Sequence, residues 1–442
     1  METSFLEKKF KMKKYNSDPR TEFLAGLTTF MTMSYILIVN PDILSQTGMD
    51  KGAVFTATII SSIIAMLVMG LYANLPFGLA PGMGLNAFFA FTVVIAMGHD
   101  WEYALTAVFL EGIIFVFLSI FNVREAIFAS IPIGLKKAVS VGIGLFITII
   151  GLSNAGIIQQ GEGVILEKGN LLTPESLIFF FSLFLMAFLT AKYVKGALLF
   201  GIVGGSILSV ILGVSHFPGI TSIFSLPPSL EPIAFKLEFK NLFTFEMFSV
   251  MFTFLFVDMF DTIGTLTGVA TKADMLDEKG NLPNVGRALL ADSVGTIVGA
   301  LLGTSTVTTF VESASGVADG GRTGLTSLST AFFFFISLFF FPLFSVVPAA
   351  ATSAALVMVG LFMIEPITEI DFKDFTEAVP AFLTITMMPF AYSIAEGISF
   401  GIMSYVLLKL ITGRKNQITP MIAALAIIFF LRVISPILAT LF

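Results

Sequence analysis

Two aspartates, Asp258 and Asp261, lie near the middle of an apolar stretch that is long enough to cross a lipid bilayer. A charged side chain at the centre of a membrane helix costs about 2.5–3.5 kcal/mol, so such residues usually face a polar cavity or serve a function. The two residues are three positions apart, and a helix places them on one face. Neighbouring buried carboxyl groups can share and exchange a proton. This face is therefore predicted to bind a polar ligand or to carry a transported proton.

The composition is typical of a polytopic α-helical membrane protein. Of the 442 residues, 56% are hydrophobic and only 12% are charged, and the mean hydropathy is +0.95. A soluble domain carries about 25% charged residues. Apolar runs near the length of a membrane-spanning helix recur along the chain, which excludes a soluble multidomain enzyme.

Few residues are available for metal or redox chemistry. The sequence has no Cys and only two His, His99 and His216, and both His fall in predicted loops. Disulfides, thiolate metal sites and cysteine nucleophiles are therefore excluded, and we expect no metal or organic cofactor. An aspartyl enzyme of the membrane would place its acids on separate helices, so no enzymatic activity is expected. Nothing in the sequence indicates nucleic-acid binding.

Apolar length predicts fourteen membrane-spanning segments. They are residues 21–40, 52–73, 78–97, 102–121, 132–151, 175–191, 196–213, 244–268, 288–302, 304–318, 323–341, 345–364, 376–392 and 396–411. A further apolar stretch at 418–440, which contains Arg432, is predicted to be an additional span or an interfacial segment. The basic N-terminal arm, residues 1–20, lacks the apolar core of a signal peptide. Placing this arm in the cytoplasm puts most Lys and Arg residues on the cytoplasmic side.

The two halves of the chain resemble each other. IPIGLKKAVSVGIGLF, from Ile131, is similar to VPAAATSAALVMVGLF, from Val347, and KYVKGALLFGIV, from Lys192, is similar to YSIAEGISFGIM, from Tyr392. An odd number of predicted segments separates the members of each pair, which inverts the second copy in the membrane. Inverted repeats are common in secondary transporters, whose binding site lies between the repeats near the bilayer midplane.

Segments 3 and 10 occupy equivalent positions in the two halves, and both are predicted to be part extended strand and part half-helix. Prolines and glycines oppose a continuous helix in PFGLAPGMGLNAFFAF, whereas Thr304–Thr309 favours a strand in GTSTVTTFVESASGVADGG. Thr308 or Thr309 is predicted as the N-cap of the second half-helix. Aligned without a gap, the two segments place Asn86 opposite Glu312. Such unwound backbone has to be buried in protein or line a cavity.

Four polar residues are predicted to bind the ligand: Asn86, Asp258, Asp261 and Glu312. A carboxylate accepts two N–H bonds and an amide both donates and accepts, so this set can bind a ligand that carries both donors and acceptors. The three acids are the candidates for carrying a proton. The structural alternatives are a hydrogen bond between spans for Asp258 and a cap or bridge for Asp261. Glu111 is predicted to be a partner of the site or a helix–helix contact, and Phe310 a stacking or packing residue.

Five motifs together resemble the AzgA-like purine permeases, the adenine/guanine/hypoxanthine branch of the nucleobase/cation symporter superfamily. They are LAGLTTFMTMSYILIVNPDIL, LAPGMGLNAFFAF, DTIGTL, GTSTVTTFVESASGVADGGRTGLTS and VPAFLTITMMPFAYSIAEGI. The resemblance covers nearly the whole chain. It implies import of purine bases across the cell membrane by symport with protons. The presence of Asp258 in VDMFD favours guanine and hypoxanthine, with adenine as the alternative substrate.

The resemblance also implies a fold of fourteen spans in two inverted seven-span repeats, with binding residues that match Asn86, Asp258, Asp261 and Glu312. A core domain would contain residues 21–122 and 244–342, and a gate domain would contain residues 123–243 and 343–412. The topology of residues 413–442 is left open, and the resemblance allows a homodimer. An anion transporter of the same fold is the weaker alternative, because the carboxylates would repel an anion.

Overall fold

The structure, a computed structural model, describes residues 5–120, 131–161, 164–217, 219, 223–240, 242–272, 275 and 282–441. Most of these residues are helical. The helices are α1 Phe5–Phe10, α2 Pro19–Met33, α3 Ile36–Ser45, α4 Lys51–Val68, α5 Met83–Ala87, α6 Trp101–Ile120, α7 Ile133–Asn154, α8 Pro174–Ala191, α9 Ala197–Ile211, α10 Phe245–Lys272, α11 Val285–Leu302, α12 Ser313–Ala318, α13 Gly324–Ser337, α14 Phe341–Ser345, α15 Ala349–Ile364, α16 Phe375–Phe390, α17 Ile394–Ile411 and α18 Pro420–Leu441. Short strands are β1 Leu79–Pro81, β2 Ile158–Gln159, β3 Glu167–Lys168 and β4 Val307–Thr309.

Within the described ranges, ten helices are long and apolar enough to cross a membrane. Shorter apolar helices lie at Met83–Ala96, Ala197–Ile211, Phe375–Phe390 and Pro420–Leu431. Predicted segment 10 coincides instead with β4 followed by the short helix α12. The prediction of an all-helical polytopic membrane protein is confirmed. The number of crossings and the inverted repeat stay predictions, as does the side of the membrane on which the chain begins.

The larger of two compact units comprises Met1–Phe121 and Ile150–Met358. In this unit α2 packs against α12 and α13, α4 packs against α11 and α13, and α6 packs against α11. Glycine permits the close approach of α2 and α13, since a Cβ at Gly26 would lie 2.7 Å from the carbonyl oxygen of Thr326. Strand β1 contacts α4, and β4 contacts α10 and α11. The two strands are thus enclosed by helices of the larger unit.

A buried acid that the sequence analysis did not select, Glu22 in α2, holds the start of α13. Its carboxylate accepts hydrogen bonds from the backbone N–H groups of Arg322 and Thr323, both at 3.2 Å. The first N–H groups of a helix have no partner within the helix. Glu22 supplies that partner from a neighbouring helix, so its role is structural.

The smaller unit comprises Asn122–Ile149 and Val359–Phe442. Helices α16 and α17 pack closely, because a Cβ at Gly397 would lie only 2.8 Å from the carbonyl oxygen of Thr384. A core of Ala138, Val141, Ile370, Ala381 and Ile385 forms beside them. The C-terminal stretch of open topology forms α18, which packs against α17. The predicted division into core and gate domains stays a prediction.

Asp374 caps α16 by accepting a hydrogen bond of 2.9 Å from the backbone N–H of Thr376. The Thr376 hydroxyl and N–H lower the pKa of Asp374 from 3.8 to about 2, against the opposing effect of burial, and Arg414 adds to the lowering. Since the pKa is lower in the folded state, this cap contributes stability above the unfolded value of 3.8. That contribution is lost as the pH falls through the folded pKa.

Lys409 is the buried cation of the smaller unit. Its side chain is 1% exposed, and its Nζ lies 2.7 Å from Glu377 Oε1 and 2.8 Å from Thr376 Oγ1. Nζ also lies 5.2 Å from the centre of the Tyr405 ring. A buried ammonium group without a counterion is costly, so the ion pair with Glu377 stabilises Lys409 at this position.

We therefore expect Glu377→Gln to lower the stability of the detergent-solubilised protein by about 2–4 kcal/mol, since the charge of Lys409 is then left uncompensated. Glu369→Gln is the matched control, because it removes a carboxylate that is 63% exposed from a pair with Lys137. An exposed pair contributes about 0–1 kcal/mol. Thermal unfolding followed by size-exclusion chromatography checks this, and equal melting temperatures for the two variants would contradict the assignment.

Candidate functional site

A two-stranded antiparallel ladder joins segments 3 and 10 at the centre of the larger unit. Leu79 is opposite Thr309, Ala80 is opposite Thr308 and Pro81 is opposite Val307. The ladder is extended by a hydrogen bond of 3.0 Å from the N–H of Gly82 to the carbonyl oxygen of Thr306. Pairing satisfies backbone groups that a bilayer would leave without partners. The prediction of a strand and a half-helix in each segment is confirmed.

The N-cap predicted for the second half-helix is wrong. Helix α12 begins at Ser313, so its N-cap is Glu312 and neither Thr308 nor Thr309. The two threonines are the last residues of β4, where their backbone groups pair with β1. The residues between β4 and α12 fold as a turn, in which the N–H of Ser313 donates to the carbonyl oxygen of Phe310 at 3.1 Å. Glu312 thus lies at the junction of the turn and the half-helix.

Glu312 is held by Thr32, in the last turn of α2, and by Tyr35, just beyond the end of that helix. The Tyr35 hydroxyl donates to Glu312 Oε1 at 2.8 Å, and the Thr32 hydroxyl donates to the Glu312 carbonyl oxygen at 3.3 Å. Phe310 packs near Tyr35, with the centres of the two rings 6.5 Å apart. Glu312 itself is partly exposed. Its carboxylate is therefore held by the protein, on a residue that is not fully enclosed.

Asp261 in α10 is the second partly exposed acid of this region. The Thr308 hydroxyl hydrogen-bonds its carboxylate, and Glu312 is close enough for the two charges to interact. Gly82 leaves the space beside it, because a Cβ at Gly82 would lie 2.5 Å from Thr308 Cγ2 and 3.5 Å from Asp261 Oδ2. The structure thus brings Asp261 and Glu312 together beside the strand ladder, as the sequence predicted.

Asp258 lies in a different environment, although it is only one helical turn from Asp261. It is completely buried, and the Thr262 hydroxyl lies 3.1 Å from Asp258 Oδ1 and 2.7 Å from Asp292 Oδ2. The same hydroxyl lies 2.8 Å from Thr308 Oγ1. Asp258 thus belongs to a buried polar network, and Thr308 connects this network to Asp261.

Asn86 is also completely buried, and its amide joins segment 3 to the residues before β4. The Ser305 hydroxyl donates a hydrogen bond to Asn86 Oδ1, and Asn86 Nδ2 donates to the carbonyl oxygen of Pro81 at 3.5 Å. Asn86 therefore contacts the start of the strand in segment 10, whereas Glu312 lies beyond its end. Both residues lie where a strand meets a half-helix, but at opposite ends of the ladder.

The two candidates for a supporting role are both found at segment 10: Glu111 contacts this segment and Phe310 belongs to it. Glu111 is completely buried in α6, and its Oε2 accepts a hydrogen bond of 3.2 Å from the hydroxyl of Thr306. Phe310 is 5% exposed. Phe88 and Phe89 of segment 3 are packing residues, because both are buried and the ring of Phe88 packs edge-on against that of Phe254, with ring centres 4.8 Å apart.

Sequence reasoning missed Tyr35, Thr262, Thr308 and Asp292. Asp292 lies near the start of its predicted segment, a position typical of an interfacial residue, yet it is completely buried. Its partner Thr262 follows Asp258 by four residues, the spacing of neighbours on one helix face. That spacing was a signal for the Asp258–Thr262 contact. No sequence signal linked either residue to Asp292 or to Thr308, because those contacts join distant parts of the chain.

We expect Thr262→Val to reduce transport at least about tenfold and stability by about 1–3 kcal/mol, because buried carboxylates lose a shared hydroxyl. Thr253→Val is the matched control in the same helix, since the Thr253 hydroxyl donates only to the carbonyl oxygen of Ser249, at 2.8 Å. Uptake per folded molecule and thermal unfolding check this. Equal behaviour of the two variants would show that the network is dispensable.

The fold and its buried polar site define a polytopic membrane transporter. Over 85% of its length the chain is similar to the transmembrane domain of a cyanobacterium bicarbonate transporter, BicA, with a TM-score of 0.66, 16% sequence identity and 97% of that chain covered. At this identity the match shows the fold alone. The sequence model described as "Permease family" matches residues 20–438.

The chain belongs to this permease family, and it is a transporter and not an enzyme. It is 49% identical over 428 residues to the putative permease MJ0326 of Methanocaldococcus jannaschii, with 97% of this chain and 98% of the relative covered. It is 42% identical to the adenine permease AdeP of Escherichia coli, with 97% and 96% covered. It is also 42% identical to the guanine/hypoxanthine permease PbuO of Bacillus subtilis, with 96% and 99% covered. The resemblance predicted from the motifs is thereby confirmed.

Proposed function

We propose that this permease imports purine bases, with guanine and hypoxanthine favoured, by symport with protons. The observation that carries the proposal is the pair of interacting carboxyl groups of Glu312 and Asp261, two partly exposed residues beside the β1–β4 ladder. Relatives named as adenine and guanine/hypoxanthine permeases, aligned over nearly their full lengths, support the substrate class. The substrate is neutral, so an acidic site attracts its N–H donors without repelling the molecule as a whole.

In this proposal Glu312 accepts hydrogen bonds from N–H groups of the purine, and Asp261 or Glu312 takes up the transported proton. Carboxylates and amides can satisfy the donors and acceptors along a purine edge. A site that depends on such bonds rejects molecules that leave its polar groups without partners. Asn86 fixes the geometry of the ladder from the other end, and Asp258 supports Asp261 through Thr262 and Thr308.

Transport then requires alternating access, with the N-terminus in the cytoplasm and movement between the predicted core and gate domains. Two polar contacts in the larger unit support this, because each joins a residue of the predicted core domain to a residue of the predicted gate domain. In the first contact Asp319 accepts hydrogen bonds from Lys195 and Thr28. In the second, Asp42 accepts a hydrogen bond of 2.7 Å from Thr352. Burial opposes ionisation of Asp319, but the Lys195 and Thr28 bonds outweigh it and lower its pKa. Asp319 therefore stays charged at cytoplasmic pH.

An adenine-preferring permease is the second candidate, because the identity to AdeP equals the identity to PbuO. An anion transporter of the same fold is disfavoured, because Asp261 and Glu312 would repel an anion close to the ladder. Uptake of radiolabelled hypoxanthine, in competition with unlabelled guanine, adenine, xanthine and uracil, separates these candidates. We expect guanine and hypoxanthine to compete best. If no nucleobase competes while the protein is present in the membrane, the proposed function is wrong.

A further inference from the structure

Segment 1 is interrupted beside Glu312. Helix α2 ends at Met33 and α3 begins at Ile36, so Ser34 and Tyr35 form the connection between them. Helix α3 is anchored on its far side by Asn40, whose Nδ2 donates to Thr58 Oγ1 at 2.7 Å and to Thr304 Oγ1 at 2.9 Å. Asn40 thus ties α3, which follows the interruption, both to α4 and to the residues that precede β4.

Tyr35 directs its hydroxyl from this interruption to the carboxylate of Glu312. The side chain is 2% exposed, and its hydroxyl lies 2.8 Å from Glu312 Oε1. Aspartate 261 also acts electrostatically on Tyr35, which places the phenol next to both acids of the site. A buried tyrosine hydroxyl normally has a hydrogen-bond partner, and here that partner is the candidate ligand-binding group.

We propose that Tyr35 is a positioning residue, which fixes the Glu312 carboxylate in the orientation that accepts the N–H groups of a purine. This inference rests on the proposed function. The Tyr35 hydroxyl donates to Glu312 Oε1. An ionised carboxylate offers about four acceptor positions on its two oxygens, so acceptor positions remain for a ligand. The ligand therefore meets a carboxylate whose plane is already set.

Preorganisation of this kind raises affinity because the ligand does not have to immobilise the side chain on binding. Without the Tyr35 hydroxyl, Glu312 can rotate about its side-chain bonds, and the ordering cost falls on the binding step. The carboxylate of Glu312 also interacts with the charge of Asp261, so a released Glu312 would turn away from it. Both effects weaken ligand binding while leaving the fold of the ladder unchanged.

The test uses purified protein and the equilibrium binding of radiolabelled hypoxanthine. We expect Tyr35→Phe to raise the Kd about tenfold, because it removes a hydrogen bond to a charged group. Tyr103→Phe is the matched control. Tyr103, which lies in α6, is also 2% exposed, but its ring stacks on that of His99. Its Kd should stay within about twofold of wild type. A merely structural role of Tyr35 would lower the amount of folded protein without changing the Kd of the folded fraction.

The outcomes of this test separate the two proposals. If the wild-type protein binds neither hypoxanthine nor guanine nor adenine, the proposed function fails. If the wild type binds hypoxanthine and Tyr35→Phe binds it equally well, the function stands and the role of Tyr35 is refuted.

A second measurement leaves position 35 unchanged and so does not depend on the folding of Tyr35→Phe. The seven tyrosines are replaced biosynthetically by 3-fluorotyrosine, and fluorine NMR spectra are recorded with and without hypoxanthine. We expect one resonance to shift on addition of hypoxanthine and the same resonance to differ in Glu312→Gln. The absence of any resonance that responds to both changes would overturn the role of Tyr35.

Discussion

Glu312→Gln is expected to reduce hypoxanthine uptake at least about 100-fold while the protein still inserts into the membrane and folds. The substitution keeps the size of the side chain but replaces one acceptor oxygen by an N–H₂ donor. That donor faces the N–H groups of the purine, so a favourable contact becomes an unsatisfied one. The Tyr35 hydroxyl, which now donates to Glu312 Oε1 at 2.8 Å, keeps an acceptor only if the amide oxygen takes that position.

Initial rates of uptake, normalised to the amount of folded protein, check this prediction. Glu365→Gln is the matched control, since Glu365 lies exposed at the end of α15 and should transport normally when substituted. Glu312→Ala should abolish uptake as well, again without loss of insertion. Uptake by Glu312→Gln within a few-fold of wild type would remove Glu312 from the binding site.

Asp261→Asn is expected to abolish accumulation driven by a pH gradient but to preserve exchange of hypoxanthine across the membrane. Asparagine has nearly the same shape as aspartate and can still accept the hydrogen bond that Thr308 gives to Asp261. It cannot take up or release a proton. The binding pocket is therefore kept while the proposed coupling is lost.

Counterflow in proteoliposomes measures exchange without a gradient, and uptake under an imposed pH gradient measures coupling. Asp258→Asn is the informative comparison, because Asp258 is fully buried and contacts Thr262, which in turn contacts Thr308 beside the site. We expect it to lower stability and to slow both processes together. Gradient-driven accumulation by Asp261→Asn at the wild-type level would assign the proton to another residue.

The interrupted segments were predictable from sequence because local chemistry determines them. Pro81 and Gly82 oppose a helix, and the β-branched run that ends at Thr309 favours a strand. Pairing the two strands followed from the need to satisfy backbone groups inside a membrane. The exact start of α12 at Ser313 was not predictable, because a turn through Phe310 intervenes before the helix.

The two aspartates of α10 show where sequence reasoning reaches its limit. Helical spacing put Asp258 and Asp261 on one face, but it could not show that β4 meets this face between them. Thr308 contacts Asp261 on the partly exposed side and Thr262 on the buried side. The surroundings of a side chain depend on what packs against its helix, and residues about fifty positions away supply that packing. The roles of the two acids therefore separate only in the folded protein.

Tyr35 was missed for the same reason. It lies in an apolar motif, where a tyrosine is unremarkable as a packing residue, and its partner Glu312 is 277 positions away along the chain. The recognisable motifs located segments 1, 3, 8 and 10 correctly. They could not show which side chain of segment 1 reaches segment 10.

Proton movement that accompanies hypoxanthine uptake tests the central claim most directly. Purified protein is reconstituted into liposomes that contain a pH-sensitive dye, and hypoxanthine is added outside without any imposed gradient. We expect acidification of the interior with wild-type protein, and no acidification with Asp261→Asn although exchange continues. Uptake of hypoxanthine by the wild type without any movement of protons would show that this permease is not a proton symporter.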